Sequence, residues 1–234
     1  MVNSLLGRLA DALFPNVCCL CQWRCPGRLP LCADCRNELA ANARCCRRCA
    51  LPLASDSLLC GQCLQAPPAF DRVVAPWLYG EYFAYILRRW KFQDDLALTP
   101  LMADLWLRSA DVTVLPDILL PIPLHWYRQW RRGYNQAELL AGELARALPG
   151  LPVDAGRLRR TRATAAQSGM DARQRARNLQ GTFTVTGSCD NLRVALVDDV
   201  LTTGATAREA ASALRQAGAA RVDVWCLART PPPQ

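Results

Sequence analysis

Eleven of the chain's thirteen cysteines fall before residue 64, and eight of them form one pattern used twice. The first set is Cys18-x2-Cys21-x10-Cys32-x2-Cys35 and the second is Cys46-x2-Cys49-x10-Cys60-x2-Cys63, each cysteine of the second standing 28 residues after its counterpart. Two close thiol pairs joined by a short loop are what a tetrahedral four-thiolate Zn2+ site requires. Cys19, Cys25 and Cys45 lie outside the period and read as non-ligands, with Cys19 or Cys45 left open as a substitute for its neighbour. A disulfide framework is the competing reading. The absence of an export signal argues against it, since reducing compartments disfavour structural disulfides.

An internally duplicated four-cysteine unit reads as a double zinc ribbon. A stretch of about 60 residues with few large apolar groups cannot bury enough surface to fold alone, so the metal is expected to supply the folding energy. Four protein ligands leave no open position, which makes both sites structural rather than catalytic. The charge follows from the same chemistry. The formal +8 falls to about +4 once two tetrathiolate zinc sites, each −2, are counted. Of the 28 basic residues only Lys91 is a lysine.

The full 234 residues, 51% of them hydrophobic, suffice for one medium domain beside a small one. Residues 4–13 read as a short amphipathic helix rather than a secretory signal, and no apolar run approaches the ~20 residues of a membrane span. A cytoplasmic location is therefore expected. Gln65-Ala66-Pro67-Pro68 breaks the chain and sets expected domains at 1–66 and 67–234. Beyond it, residues 72–79 read as a strand, Tyr82, Phe83, Ile86, Leu87 and Trp90 recur at helical spacing, and a second helix fits 96–108. Further strands fit 117–121, 193–197 and 221–227, and helices fit 136–148 and 206–217, with Gly218 as a C-cap. Strands alternating with helices predict an α/β fold, a doubly wound parallel sheet. Trp77, Tyr79 and Trp90 read as core.

The run Val194-Ala195-Leu196-Val197-Asp198-Asp199-Val200-Leu201-Thr202-Thr203-Gly204-Ala205-Thr206 carries the chemistry. An apolar strand ends in two carboxylates, a Thr/Gly turn follows, and a helix opens with the Thr206-x-x-Glu209 spacing of a capping box. Small residues at a helix N-terminus let backbone N–H groups and the helix dipole meet a phosphate. Ionised carboxylates only accept hydrogen bonds, which suits the vicinal hydroxyls of a ribose. An ordinary strand–loop–helix with a solvated Asp pair is the plainer alternative.

Two arginine-rich segments accompany it. Residues 121–136 run from Pro121 through His125 and Trp126 and present Arg128, Arg131 and Arg132 before a helix. Residues 157–177 hold seven arginines, among them Arg160, Arg162 and Arg175, against the single acid Asp171, for a local +6. Either segment could be a solvated basic face. His125, the only histidine, reads as a packed residue rather than a base.

Residues 194–206 resemble the 5-phosphoribosyl-1-diphosphate (PRPP) fingerprint of type I phosphoribosyltransferases. That resemblance implies ribose contacts from Asp198 and Asp199, and a 5′-phosphate loop of Thr202, Thr203, Gly204, Ala205 and Thr206. Pro-Ile-Pro-Leu-His, Arg-Arg-Gly-Tyr-Asn-Gln, Arg160-x-Arg162-x-Thr164-x-x-Gln167, Arg175-x-x-Asn178 and Ala228-Arg229, together with the paired ribbons, narrow it to the ComF/GntX family across nearly the whole chain. Members of that family are linked to DNA uptake in natural competence or to use of external DNA. The resemblance implies Mg2+ with PRPP, and Arg128, Arg131, Arg132, Arg160, Arg162 and Arg175 at the diphosphate or in a lid. It also implies transfer of the phosphoribosyl group to an acceptor the sequence does not name. The alternatives are a non-catalytic PRPP sensor, or an adaptor for single-stranded DNA, DNA-uptake or helicase proteins, on an inherited transferase fold.

Overall fold

The computed structural model describes residues 16–25, 27–93, 95–124, 130, 133–161 and 181–232. Two short helices, α1 (Ala33–Asn37) and α2 (Gly61–Gln65), belong to the cysteine-rich region. Then come β1 (Arg72–Val74), β2 (Trp77–Leu78), α3 (Glu81–Phe92), a 3-10 turn (Leu96–Leu98) and α4 (Thr99–Ser109). The remainder is β3 (Ile118–Pro121), α5 (Gln136–Ala147), β4 (Leu158–Arg160), β5 (Phe183–Val185), β6 (Arg193–Leu201), α6 (Ala205–Gln216) and β7 (Arg221–Arg229).

The main sheet has five strands, all parallel, in the order β1–β7–β6–β3, with β2 also on β7. Central β6 and β7 are apolar on both faces, the mark of a parallel sheet covered on two sides. Leu119, Ala195, Val197, Trp225 and Leu227 point into a layer with α3, α4 and α5, where Phe83, Ile86, Leu87 and Trp90 line one side of α3. Each such fully buried side chain contributes about 2 kcal/mol. The alternate residues Ile118, Leu120, Val194, Leu196, Val222 and Val224 meet Ala207, Ala210, Ala211 and Leu214 of α6. The doubly wound parallel sheet expected from the sequence is the fold observed. β4 and β5 form a separate antiparallel pair.

The two cysteine units sit on opposite faces. Cys18, Cys19 and Cys25 join the α3–α4–α5 layer, and Cys46, Cys49, Cys60 and Cys63 join the α6 layer. Arg89 donates to the Cys19 carbonyl at 3.1 Å, and Arg36 pairs with Asp104 at 3.0 Å. On the other side, the Val73 N–H donates to the Arg48 carbonyl at 2.9 Å.

Three local expectations need correction. Residues 72–79 are not one strand: the ladder breaks at Ala75-Pro76, because proline has no N–H to give. Asn42 mends the break, its Nδ2 donating to the Ala75 carbonyl at 3.1 Å and its backbone N–H to the Pro76 carbonyl at 2.8 Å. β6 does not stop at residue 197 but runs to Leu201, so the acid pair lies within the strand. The Thr206/Glu209 capping box does not form. The N-cap is Gly204, in the left-handed region at φ 76°, and Glu209 accepts from the Gly181 N–H instead. The C-cap is Ala217, and Gly218 follows it in the left-handed region at φ 95°, where glycine commonly ends a helix.

Candidate phosphoribosyl site and metal centres

The C-terminal half of β6 carries Asp198 and Asp199 to the carboxyl edge of the sheet, where α/β folds hold their ligands. A cavity of about 280 Å³ opens there, lined by Asp198, Asp199, Thr206, Lys91, Asn135 and Arg160 among others. Burial pushes the Asp198 carboxyl up to about 7, and the neighbouring Asp199 adds to the rise. The Asp199 backbone N–H, donating to Asp198 Oδ1 at 2.8 Å, and the cations Lys91 and Arg160 hold it down. Two carboxylates this close do not ionise independently.

Lys91 is a residue of the candidate site that sequence reading missed. Its Nζ lies 2.7 Å from Asp199 Oδ2, and both side chains are about four-fifths buried. The available signal was its singularity, one lysine among 28 basic residues. Its position at the end of α3 is fixed from the Gly133-Tyr134-Asn135-Gln136 corner, where Tyr134 Oη lies 3.4 Å from the Trp90 and Lys91 carbonyls. Asn135 caps α5 by accepting from the Ala137 N–H at 3.1 Å and donates from Nδ2 to the Ile122 carbonyl at 3.1 Å, which ties this corner to the end of β3.

After the acids, Thr202 and Thr203 are exposed, Gly204 is buried, and Ala205 and Thr206 are half-buried. Gly204 carries no side-chain cap, and although the Ala205 N–H donates to Thr203 Oγ1 at 3.4 Å, the N-terminus of the twelve-residue α6 keeps its dipole for an anion. Arg160 ends β4 with its guanidinium 5.8 Å from the centre of the Phe183 ring. Arg128, Arg131, Arg132, Arg162 and Arg175, with His125, lie outside the described residues.

The eight periodic cysteines gather as Cys18, Cys21, Cys32, Cys35 and as Cys46, Cys49, Cys60, Cys63, the four sulfurs of each set within 4.8 Å of one another. Cys21 and Cys32 Sγ are 3.8 Å apart, and Cys49 and Cys60 Sγ are 3.6 Å apart. A tetrahedron with Zn–S bonds of 2.3 Å has an edge of about 3.8 Å, so both cages fit that ion. Burial disfavours the Cys18 thiolate, yet backbone hydrogen bonds at Cys32, Cys21 and Leu20 outweigh it and bring the thiol down to about 6. Cys46 comes down to about 7 in the same way. Cys19, Cys25 and Cys45 stand outside both clusters, which closes the question of substitution. The second cage is wholly buried, whereas Cys21 of the first is exposed.

Among the described residues no helix is long and apolar enough to cross a membrane. The double zinc ribbon domain family matches residues 9–64, and the phosphoribosyl transferase domain family matches residues 135–233. The chain is 38% identical over 229 residues to the DNA utilization protein YhgH of Salmonella typhimurium, covering 92% of this chain and 98% of that protein. It is 36% identical over 208 residues to Competence protein F of Haemophilus influenzae, covering 85% and 90%. Competence protein ComFC of Bacillus subtilis is 32% identical over 158 residues, covering 66% and 62%. Identity to these relatives along most of the chain, which sets two four-cysteine cages ahead of a parallel α/β sheet, makes it a member of the ComF family.

Proposed function

We propose that the chain binds PRPP with Mg2+ at the carboxyl edge of its sheet and serves DNA uptake or the use of external DNA. The observation that supports this most is the convergence of Asp198, Asp199, Lys91, Arg160 and Thr206 on one cavity beside the N-terminus of α6. In this reading Asp198 and Asp199 accept hydrogen bonds from the ribose 2′- and 3′-hydroxyls. The N–H groups of residues 202–206 donate to the 5′-phosphate, as α6 is long enough to present a full dipole. Lys91 and Arg160 face the diphosphate, with Arg128, Arg131, Arg132, Arg162 and Arg175 as further contacts. Mg2+ neutralises diphosphate charge. Zn2+ fills both cysteine cages as a structural ion. The role in DNA is supported by the relatives, a DNA utilization protein and Competence protein F.

Transfer would break the C1–O bond to diphosphate as an acceptor nitrogen bonds to C1, releasing pyrophosphate. Calorimetry with PRPP and Mg2+ tests the binding step. Asp198→Asn and Asp199→Asn should each weaken it by about 1.5–3 kcal/mol, the worth of hydrogen bonds to charged groups. Unchanged affinity in both variants would show the site is elsewhere. Pyrophosphate release across nucleobases and single-stranded DNA then separates a transferase from a PRPP-responsive adaptor.

A further inference from the structure

Arg229, the last residue of β7, is 6% exposed and carries a cation into the interior. Its Nε donates to the Cys49 carbonyl at 3.2 Å. Its Nη1 donates to the Leu201 carbonyl at 3.0 Å, to the Thr202 carbonyl, and to the Thr230 carbonyl at 2.7 Å. Every one of these acceptors is a neutral carbonyl, and among the described residues no acid–base ion pair includes Arg229. A buried charge satisfied only by dipoles is costly unless a counter-charge lies close.

The second cysteine cage supplies one. Cys49 is a member of it, all four of its cysteines are buried, and four thiolates around one divalent ion sum to −2. The guanidinium reaches the cage at its own backbone, the Cys49 carbonyl. The same guanidinium grips the two carbonyls that open the phosphate loop. A second tie runs alongside: Arg208 in the first turns of α6 lies 5.9 Å from the Phe70 ring centre and 3.5 Å from the Ala66 carbonyl, just past the cage. Among the described residues the first cage makes no hydrogen bond to the phosphate loop; its ties run to α3 and α4 through Arg89 and Arg36, and from α3 to the acid pair rather than to the loop.

We propose that Arg229 is a positioning residue joining the second metal cage to the phosphate loop: the loaded Cys46/Cys49/Cys60/Cys63 cage is its counter-charge, and its fork fixes the Leu201 and Thr202 carbonyls. Only the name of the loop's ligand rests on the phosphoribosyl reading. Coupling between two sites is reciprocal, so an anion in the loop also tightens the metal in that cage and leaves the other unaffected.

Amide hydrogen exchange on the full-length, zinc-loaded chain tests this without any phosphoribosyl ligand. Arg229→Gln should raise exchange at least tenfold at the Arg208 and Thr230 amides, which donate to the Gly204 and Leu201 carbonyls that bound the loop, with two zinc ions still bound by metal analysis, while α3 and α4 keep wild-type exchange. Wild-type exchange at these amides in that loaded variant overturns the proposal. Arg229→Lys decides the matter if the Gln variant sheds its second ion. One ammonium keeps the charge, and with it the metal, but does not span the Cys49, Leu201 and Thr202 carbonyls. It should therefore show two zinc ions and fast exchange at these amides. Loss of the ion from the Lys variant, or slow exchange at them, overturns the proposal. As the reciprocal arm, PRPP with Mg2+ should slow chelator-driven release of one of the two ions several-fold in wild type and of neither in Arg229→Gln. PRPP that binds wild type by calorimetry yet slows neither ion also overturns the coupling. Failure of PRPP to bind wild type at all would remove the phosphoribosyl reading and leave the exchange result standing.

Discussion

Lys91 Nζ and Asp199 Oδ2 stand 2.7 Å apart across the candidate cavity, one at the end of α3 and the other on β6. The pair joins the helix that carries the first ribbon to the strand that carries the acids. Arg89, two residues back on α3, donates to the Cys19 carbonyl and pairs with Asp95 at 2.6 Å. The lone lysine is therefore held between the ribbon on one side and the Tyr134 corner on the other.

Lys91→Ala leaves the Asp199 carboxylate without its cation in a site that is about four-fifths buried. The expected cost is about 1–2 kcal/mol of stability, between a solvent-screened pair and a fully buried one. PRPP affinity should fall as well, since Lys91 also helps keep Asp198 ionised. Denaturant titration and calorimetry on the same sample check both. Lys91→Arg should recover most of the stability and less of the affinity, because a planar fork does not replace a point charge.

Asp198 sets a pH dependence. A free aspartate gives up its proton near pH 3.9, whereas Asp198 in the fold keeps it to about 7 through burial and Asp199. Between those values the native state binds more protons than the unfolded chain. Its contribution is thus stabilising below about pH 4, declines as pH rises, and is lost above about pH 7. Chemical denaturation from pH 5 to pH 8 should show this decline, amounting to a few kcal/mol at most. Asp198→Asn should flatten it. PRPP affinity should run the opposite way and improve from pH 6 to pH 8, as the carboxylate becomes an acceptor only.

What the sequence disclosed was whatever lies in a short window. The x2–x10–x2 spacing names the two cages because each ligand pair sits on one tight turn. Val194 to Thr206 is likewise one unbroken strand, loop and helix start. Lys91, Tyr134 and Arg229 escaped notice as site residues because their partners are distant in the chain: Asp199 for the first, Lys91 for the second, Cys49 and Thr202 for the third. The capping box failed for a local reason. A left-handed Gly204 turns the chain into α6 before Thr206, so Thr206 falls inside the helix rather than at its cap. Pro76 broke the expected strand because the ladder needs a donor it lacks.

The two cages should differ in metal lability. Cys21 is exposed and Cys32 and Cys35 half-buried, while all four sulfurs of the second cage are buried. A chelator with a zinc-sensitive dye should therefore record two phases of one ion each, the first at least tenfold faster. Cys21→Ser should remove the fast phase and keep the slow one. Since Trp77, Trp90, Trp106 and Trp225 lie in the layer that the first cage joins, the tryptophan near-ultraviolet signal should change with loss of the first ion rather than the second.

Gly204 separates backbone geometry from side-chain chemistry in the loop. Its φ of 76° lies in the left-handed region, and a Cβ built there would come no closer than 3.9 Å to Leu201 Cδ2. Gly204→Ala thus meets no clash and pays only the conformational cost, about 1–2 kcal/mol for an L residue held left-handed. For a chain of this size that is a fall in melting temperature of about 2–8 °C. The variant also has a second course, relaxing φ to negative values and tilting the first N–H groups of α6 away from the cavity. A full melting penalty with unchanged PRPP affinity would show that the loop stays strained and the anion cradle intact. A smaller penalty with PRPP affinity weakened about tenfold or more would show that the cradle moved. The second outcome is expected, because the loop is exposed at Thr202 and Thr203 and little packing opposes the relaxation.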